Sequence, residues 1–250
     1  MNSGRTPVRI AHAYGNNRRA LERALSADVD LIETDIWFRG GRIWVRHERR
    51  LGPLPFLADR RPRSSHSLDG RTTLPFWPGY YARLDLRRYP LEDLLAAAKG
   101  KRRLMLDVKG DYSAAVTQAF AEAIKRAVAQ AGAAEVAVVC GQNWFVVDRV
   151  REAAPDLEVR YSLERPQQWS DFMDRLARGE DLKRVNIEHG FLDGDKARFL
   201  QENGVDVYCW TVDDAREASR LLAAGADGII SNDLDLLAGL GGRRAYPRAG

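Results

Sequence analysis

The sequence predicts a closed α/β barrel of the (β/α)8 (TIM) type. Three observations carry this reading. Strand and helix signals alternate in a regular βα order, which favours a parallel sheet. There are eight such units, the number that closes a barrel. The chain has 250 residues, an ordinary length for one barrel. A doubly wound open sheet is the alternative, but no glycine-rich dinucleotide turn follows the first strand. The expected organisation is a single domain over residues 1–250, with a rim loop at 48–90 and a frayed tail at 241–250.

The elements follow in order. A strand is expected over residues 8–12, then a helix over 16–27 opened by Asn16 as its cap. A strand over 30–36 leads through a turn at Gly40-Gly41 to a short extra strand, 43–47. Helix 91–99 precedes strand 103–109. The remaining units are helix 113–131, strand 135–140, helix 144–153, strand 157–162 and helix 166–178, the last with proline at its start. Strand 184–189, helix 193–203, strand 205–211 and helix 213–224, closed by Gly225, come next. Strand 227–231 and helix 234–240 complete the set. Residues 48–90 carry Pro53, Pro55, Pro62, Pro75, Pro78 and Pro90, too many for a long helix or a central strand. A long irregular rim or lid over the barrel mouth is therefore expected there.

Composition narrows the class. Apolar residues make up 45% and charged residues 30%, as in globular proteins. No run reaches the length of a membrane helix. No signal peptide is visible before the first strand, which reads as a cytoplasmic location unless a precursor segment is missing. Cys140 and Cys209 lie in apolar strand-like runs and read as buried free thiols in a reducing compartment. The formal charge of +4 is concentrated: residues 46–103 hold 14 Lys/Arg against 6 Asp/Glu, a net of +8. Phe56, Phe76, Trp77, Tyr80, Tyr81 and Tyr89 share that stretch. Basic and aromatic residues together suit an anionic membrane surface. No nucleic-acid motif accompanies them, so nucleic acid is not expected as a partner.

Chemistry gathers at the strand ends. Residues two apart on a strand share a face, so Glu33 projects with Asp35, and Asp107 with Lys109. Ile32 and Ile36, and Leu104, Leu106 and Val108, then face the helices. Three carboxylates in one pocket repel, and a divalent cation is the simplest remedy. All-oxygen ligation suits Mg²⁺ or Ca²⁺. With Lys109 the charges nearly balance, and an anionic phosphate fits the site. His12 and His47 flank the acidic pair as an acid/base couple. Glu188, Trp210 and Asn232 also fall at strand ends, the rim that carries active sites in such barrels. Glu188 and Asn232 are read as supports behind this set, and Trp210 as pocket lining. His66 and His189 receive no role.

At these residues the chain resembles the glycerophosphodiester phosphodiesterase family and its relatives, the sphingomyelinase D-type phospholipases. The matching stretches are Ile10-Ala11-His12, Asp30-Leu31-Ile32-Glu33-Thr34-Asp35, Val45-Arg46-His47, Leu106-Asp107-Val108-Lys109, Trp210-Thr211-Val212-Asp213 and Gly225-Ala226-Asp227-Gly228-Ile229-Ile230. The resemblance implies an α/β barrel that uses Mg²⁺, or Ca²⁺ in some members. Glu33, Asp35 and Asp107 would be its metal ligands, His12 and His47 its acid and base, Lys109 its phosphate contact. It implies hydrolysis of glycerophosphodiesters to glycerol phosphate and an alcohol. His12 is provisionally the acid and His47 the base. The sequence departs from the family pattern His-Arg-Gly, reading His12-Ala13-Tyr14-Gly15-Asn16, without the phosphate-binding arginine. Asp107 stands where Glu is frequent. These departures lean toward a phospholipase D acting on lysophospholipids with cyclic phosphate formation. A barrel that binds a phosphorylated ligand without turning it over is the remaining alternative.

Overall fold

The computed structural model describes residues 6–51, 56–60, 73–84, 88–133 and 136–241. Eight parallel strands close into a barrel: β1 (Val8–Ala11), β2 (Leu31–Arg39), β8 (Arg103–Val108), β9 (Ala137–Gly141), β10 (Glu158–Leu163), β11 (Arg184–Glu188), β12 (Asp206–Trp210) and β13 (Gly228–Ser231). β13 returns to β1, and β1 pairs with β2, which closes the ring. β2 runs past the barrel and turns at Gly40-Gly41, both with positive φ, into antiparallel β3 (Arg42–Val45). The barrel and eight strand–helix units agree with the expectation from sequence.

Helices α1 (Arg18–Ser26), α2 (Leu91–Ala98), α3 (Ala114–Ala131), α4 (Trp144–Ala153), α5 (Pro166–Ala177), α6 (Gly194–Glu202), α7 (Ala215–Ala223) and α8 (Leu234–Gly239) form the outer layer. Short polar caps start many of them: Asn17 accepts from the Ala20 amide, Asp193 from Lys196, Asp214 from Arg216 and Glu217. The expected cap at Asn16 is thus displaced by one residue. Residues Tyr14–Asn16 form a 3-10 turn, and the Asn16 side chain points elsewhere.

Two cores follow from strand alternation. Ile32, Ile36, Leu104, Leu106 and Val108 pack against the helices. Ile10, Leu31, Met105, Val138, Cys140 and Ile230 fill the barrel. Near the strand starts, fully buried Arg160 lies 3.4 Å over the Tyr208 ring. It donates to Asn186 Oδ1 at 2.8 Å and Asp206 Oδ1 at 3.0 Å, so this buried charge is paired. Cys140 and Cys209 are buried and free.

The stretch read as an irregular rim instead carries regular structure. β4 (Arg49–Leu51), β5 (Phe56–Arg60), β6 (Thr73–Trp77) and β7 (Tyr80–Leu84) form an antiparallel sheet in the order β4-β5-β7-β6. The prolines did not exclude this, because Pro75 lies on the edge strand β6, beside an irregularity in register. His66 and the tail over 242–250 lie outside the described residues. Among the described residues no helix is long and apolar enough to cross a membrane.

Candidate active site

The carboxylates meet at the C-terminal mouth of the barrel. β2 and β8 pair in register, with Asp35 opposite Asp107 and Glu33 opposite Met105. Glu33, Asp35 and Asp107 each offer an oxygen within 4.8 Å of the others. Asp35 is fully committed: Oδ1 lies 2.9 Å from Lys109 Nζ, and Oδ2 accepts from Asn16 Nδ2 at 2.6 Å. Lys109 also pairs with Asp107 Oδ2. Glu33 Oε2 accepts from the Ala13 amide at 2.5 Å. Glu33 Oε1 and Asp107 Oδ1 are buried and have no hydrogen-bond partner among the described residues.

Burial and mutual repulsion push Glu33 well above the usual carboxylate range. Burial also raises Asp107, which Lys109 only partly offsets. Burial acts on Asp35 in the same sense, but Lys109 and His47 outweigh it and hold Asp35 down at about 2. Burial lowers Lys109, yet the three carboxylates prevail and keep it charged. Two buried carboxylate oxygens without donors, beside a third carboxylate, make a donor set that fits a hard divalent cation.

The two histidines have different partners. His12 Nδ1 lies 2.9 Å from Asn232 Oδ1, and Nε2 lies 3.9 Å from Glu33 Oε2. The Asn232 amide is oriented by Asp213, whose Oδ2 accepts from Asn232 Nδ2 at 2.7 Å. Asp213 Oδ1 accepts from the Asn232 amide at 2.8 Å and Ser231 Oγ at 2.9 Å. With Asn232 presenting its oxygen, His12 must carry its proton on Nδ1, which leaves the Nε2 lone pair toward the cavity. Burial lowers the pKa of His12. His47 Nδ1 instead lies 2.6 Å from Asp59 Oδ2, a carboxylate from β5. The Asp35 charge, opposed by burial and assisted by Asp59, raises His47 to about 9.

A cavity of about 60 Å³ brings together His12, Glu33, Asp107, Lys109 and Trp210. The Trp210 indole N–H is buried and has no acceptor among the described residues. Glu188 is not in this cavity. Its carboxylate accepts from the Phe191 amide at 2.9 Å and lies 3.4 Å from His189. Asn232, by contrast, touches a residue of this cavity, His12.

Several residues escaped the sequence reading. Asn16 holds the Asp35 carboxylate, accepts from the Asp35 amide at 2.8 Å and accepts from Thr34 Oγ1 at 3.0 Å. Asp59 and Asp213 orient the histidines. Gln142, Ser162 and Asn186 line the cavity. Gln142 follows the end of β9, and that rim position was its only signal.

An acid-and-histidine cluster buried at the mouth of a parallel eightfold barrel defines an α/β-barrel enzyme. The chain matches the Glycerophosphoryl diester phosphodiesterase family over residues 11–236 and belongs to it. It is 25% identical over 239 residues to the glycerophosphodiester phosphodiesterase GDPD4 of Arabidopsis thaliana, covering 91% of this chain and 69% of that protein. The fold is similar to an Oleispira antarctica phosphodiesterase solved with its product sn-glycerol-3-phosphate. There the TM-score is 0.67 and the identity 17%, over 94% of this chain and 96% of that one. A glycerophosphodiester phosphodiesterase from Parabacteroides distasonis gives a TM-score of 0.68 at 20% identity, over 95% and 98% of the two chains. The protein is a phosphodiesterase of this family.

Proposed function

We propose that this enzyme hydrolyses glycerophosphodiesters to glycerol phosphate and an alcohol, by metal-dependent chemistry with two histidines. One observation carries the reading. Two buried carboxylate oxygens, Glu33 Oε1 and Asp107 Oδ1, lack donors beside Asp35, while one histidine is arranged to accept a proton and the other to give one.

Glu33, Asp35 and Asp107 would hold Mg²⁺ or Ca²⁺, which would supply Lewis-acid stabilisation of charge on the phosphate oxygens. Lys109 stands within reach of the same space to pair with a phosphate oxygen. The Trp210 N–H is a spare donor for a substrate oxygen.

The hydrogen bonds favour the reverse of the roles first read from sequence. His12, protonated on Nδ1 by its bond to Asn232, takes the proton from the attacking oxygen at Nε2. That oxygen forms a bond to phosphorus. The bond from phosphorus to the leaving oxygen breaks, and His47 gives its proton to that oxygen, releasing a neutral alcohol. Asp59 stabilises the imidazolium of His47 before transfer.

Phosphorus NMR of products from glycerophosphocholine and lysophosphatidylcholine, each with Mg²⁺ and then with chelator, tests the proposal. Metal-dependent glycerol phosphate from the first substrate is expected. A cyclic or lysophosphatidic product from the second alone would move the enzyme to phospholipase D chemistry. No product from either would overturn the reading.

A further inference from the structure

The hairpin of β2 and β3 has one basic face. Gly40 and Gly41, both with positive φ, make its two-residue turn. Arg39 stands directly opposite Arg42 beside the turn, and Trp37 opposite Trp44. Alternation puts these four side chains on one face, while Ile36, Phe38, Ile43 and Val45 pack toward the helices on the other. Like charges directly opposite on a sheet are destabilising. Among the described residues no carboxylate pairs with the side chain of Arg39 or Arg42 to offset this.

The same face borders a cleft of about 310 Å³. Arg39, Arg42, Arg46, Arg50 and Arg88 line it with Trp44, and no carboxylate does among the described residues. The segment before α2 is pinned to β3, because the Val45 amide donates to the Tyr89 carbonyl at 2.8 Å. That contact carries the Arg88 guanidinium to 5.4 Å from the centre of the Trp44 ring. Arg50 lies opposite buried Leu57, on the barrel-facing side of the small sheet, and reaches the cleft from there. Arg46 and Arg50 have interactions of their own, so Arg39, Arg42 and Arg88 carry the argument. Each offers a planar fork that matches two phosphate oxygens at once. Three such forks exceed what one small carboxylate can occupy, whereas two linked phosphates present oxygens in every direction. The volume lies at the lower end of the range of about 300–1,000 Å³ for small-molecule pockets.

We propose that this cleft binds a small soluble polyanion carrying two phosphate groups. It shares no lining residue with the catalytic cavity, and the inference does not depend on the catalytic roles assigned above.

Calorimetric titration of the full chain with inorganic pyrophosphate and with inorganic phosphate tests it, in chelator so that no divalent cation complexes the ligand. Saturable binding of one pyrophosphate per chain is expected, tighter than that of phosphate and weakened by added salt. Arg39→Gln/Arg42→Gln and Arg88→Gln should each weaken it by about tenfold or more, as expected for losing charge-assisted hydrogen bonds. Turnover of glycerophosphocholine should not change in either variant. Without the anion, the melting temperature of Arg39→Gln/Arg42→Gln should not fall, since the opposed charges are gone. If that pair fails to fold, Arg88→Gln alone carries the test. No saturable binding of pyrophosphate overturns the proposal, as does phosphate bound equally well. Unchanged binding in both variants would place the ligand elsewhere and also overturn it. Sedimentation with phosphatidic acid vesicles, without binding of pyrophosphate, would assign the arginines to a lipid headgroup and overturn it too.

Discussion

His47 Nδ1 lies 2.6 Å from Asp59 Oδ2, so a barrel-rim histidine is held by a carboxylate from the separate antiparallel sheet. Asp35 and Asp59 together lift His47 to about 9. Because this folded-state value exceeds the ordinary 6.5, the charged form stabilises the fold fully below about 6.5. That stability is lost as pH rises through about 9. Asp59→Asn should therefore lower the melting temperature most at about pH 6, with the gap to the unsubstituted protein closing in alkali. It should also shift the alkaline limb of kcat/KM downward, with about a tenfold loss of rate for each unit by which His47 falls below the assay pH. An unmoved alkaline limb would remove the pair from the chemistry.

The other histidine is set by an uncharged partner. Asp213 orients Asn232, and Asn232 fixes the His12 tautomer. Asp213→Ala frees the amide to turn its N–H₂ toward His12 and favour the wrong tautomer. Turnover should fall about tenfold, in line with the loss of one hydrogen bond of ~1.4 kcal/mol in the transition state, with KM little changed. His12→Ala should cost about 10²- to 10⁴-fold. Steady-state kinetics of the two variants separate positioning from proton transfer. A loss confined to KM in Asp213→Ala would count against the relay.

How much of this was legible in the sequence depends on the range of each interaction. The two-residue spacing on one strand placed Glu33 with Asp35, and Asp107 with Lys109, on the interior side; Glu33, Asp35 and Asp107 do come together, and Glu33, Asp107 and Lys109 line one cavity with Met105 and Cys140. The barrel followed from periodicity for the same reason. Asn16 was misread as a helix cap because Asn16 and Asn17 are equally good caps locally, and only the approach of Thr34 and Asp35 decides between them. Asp59 and Asp213 were invisible because their partners lie 12 residues and more away in sequence, across turns that local pattern does not encode. The sheet over 49–84 was hidden by prolines that edge position tolerates.

The carboxylate cluster predicts how metal and pH act together. The folded-state values of Glu33 and Asp107 are raised, so their contribution to stability is full below the ordinary carboxylate range and is lost as pH rises through the raised values. A divalent cation needs the deprotonated forms. Mg²⁺ should therefore raise the melting temperature more at pH 8 than at pH 5.5. At a hundredfold excess over Kd the gain is about 2.7 kcal/mol, or about 5 to 10 °C for a domain this size. Differential scanning calorimetry with Mg²⁺ and with chelator at both pH values measures it. Equal shifts at the two pH values, or none, would place metal binding elsewhere. Glu33→Gln should abolish the shift while leaving the metal-free fold intact, since it replaces a carboxyl that burial already disfavours as a charge.

Gly15 is where the backbone of the site has no slack. A Cβ there would stand 2.5 Å from Thr34 Cβ and 3.2 Å from the Glu33 carbonyl oxygen. Both neighbours belong to β2, whose central position in the barrel leaves them nowhere to retreat, so the Tyr14–Asn16 turn must move instead. Such overpacking costs about 1–3 kcal/mol. It also pulls Asn16 away from Asp35, which then loses the Nδ2 donor on one oxygen and must face Glu33 and Asp107 with Lys109 alone. Gly15→Ala should thus destabilise the protein and, separately, weaken Mg²⁺ binding, because the Asp35 carboxylate is no longer oriented. Asn16→Ala separates the two effects: it leaves the turn unclashed and removes the side chain that donates to the Asp35 carboxylate and accepts from the Asp35 amide and Thr34 Oγ1. Calorimetric titration with Mg²⁺ should show weaker binding in both variants. Weakened binding in Gly15→Ala alone would mean that the turn, and not the Asn16 side chain, positions the carboxylates.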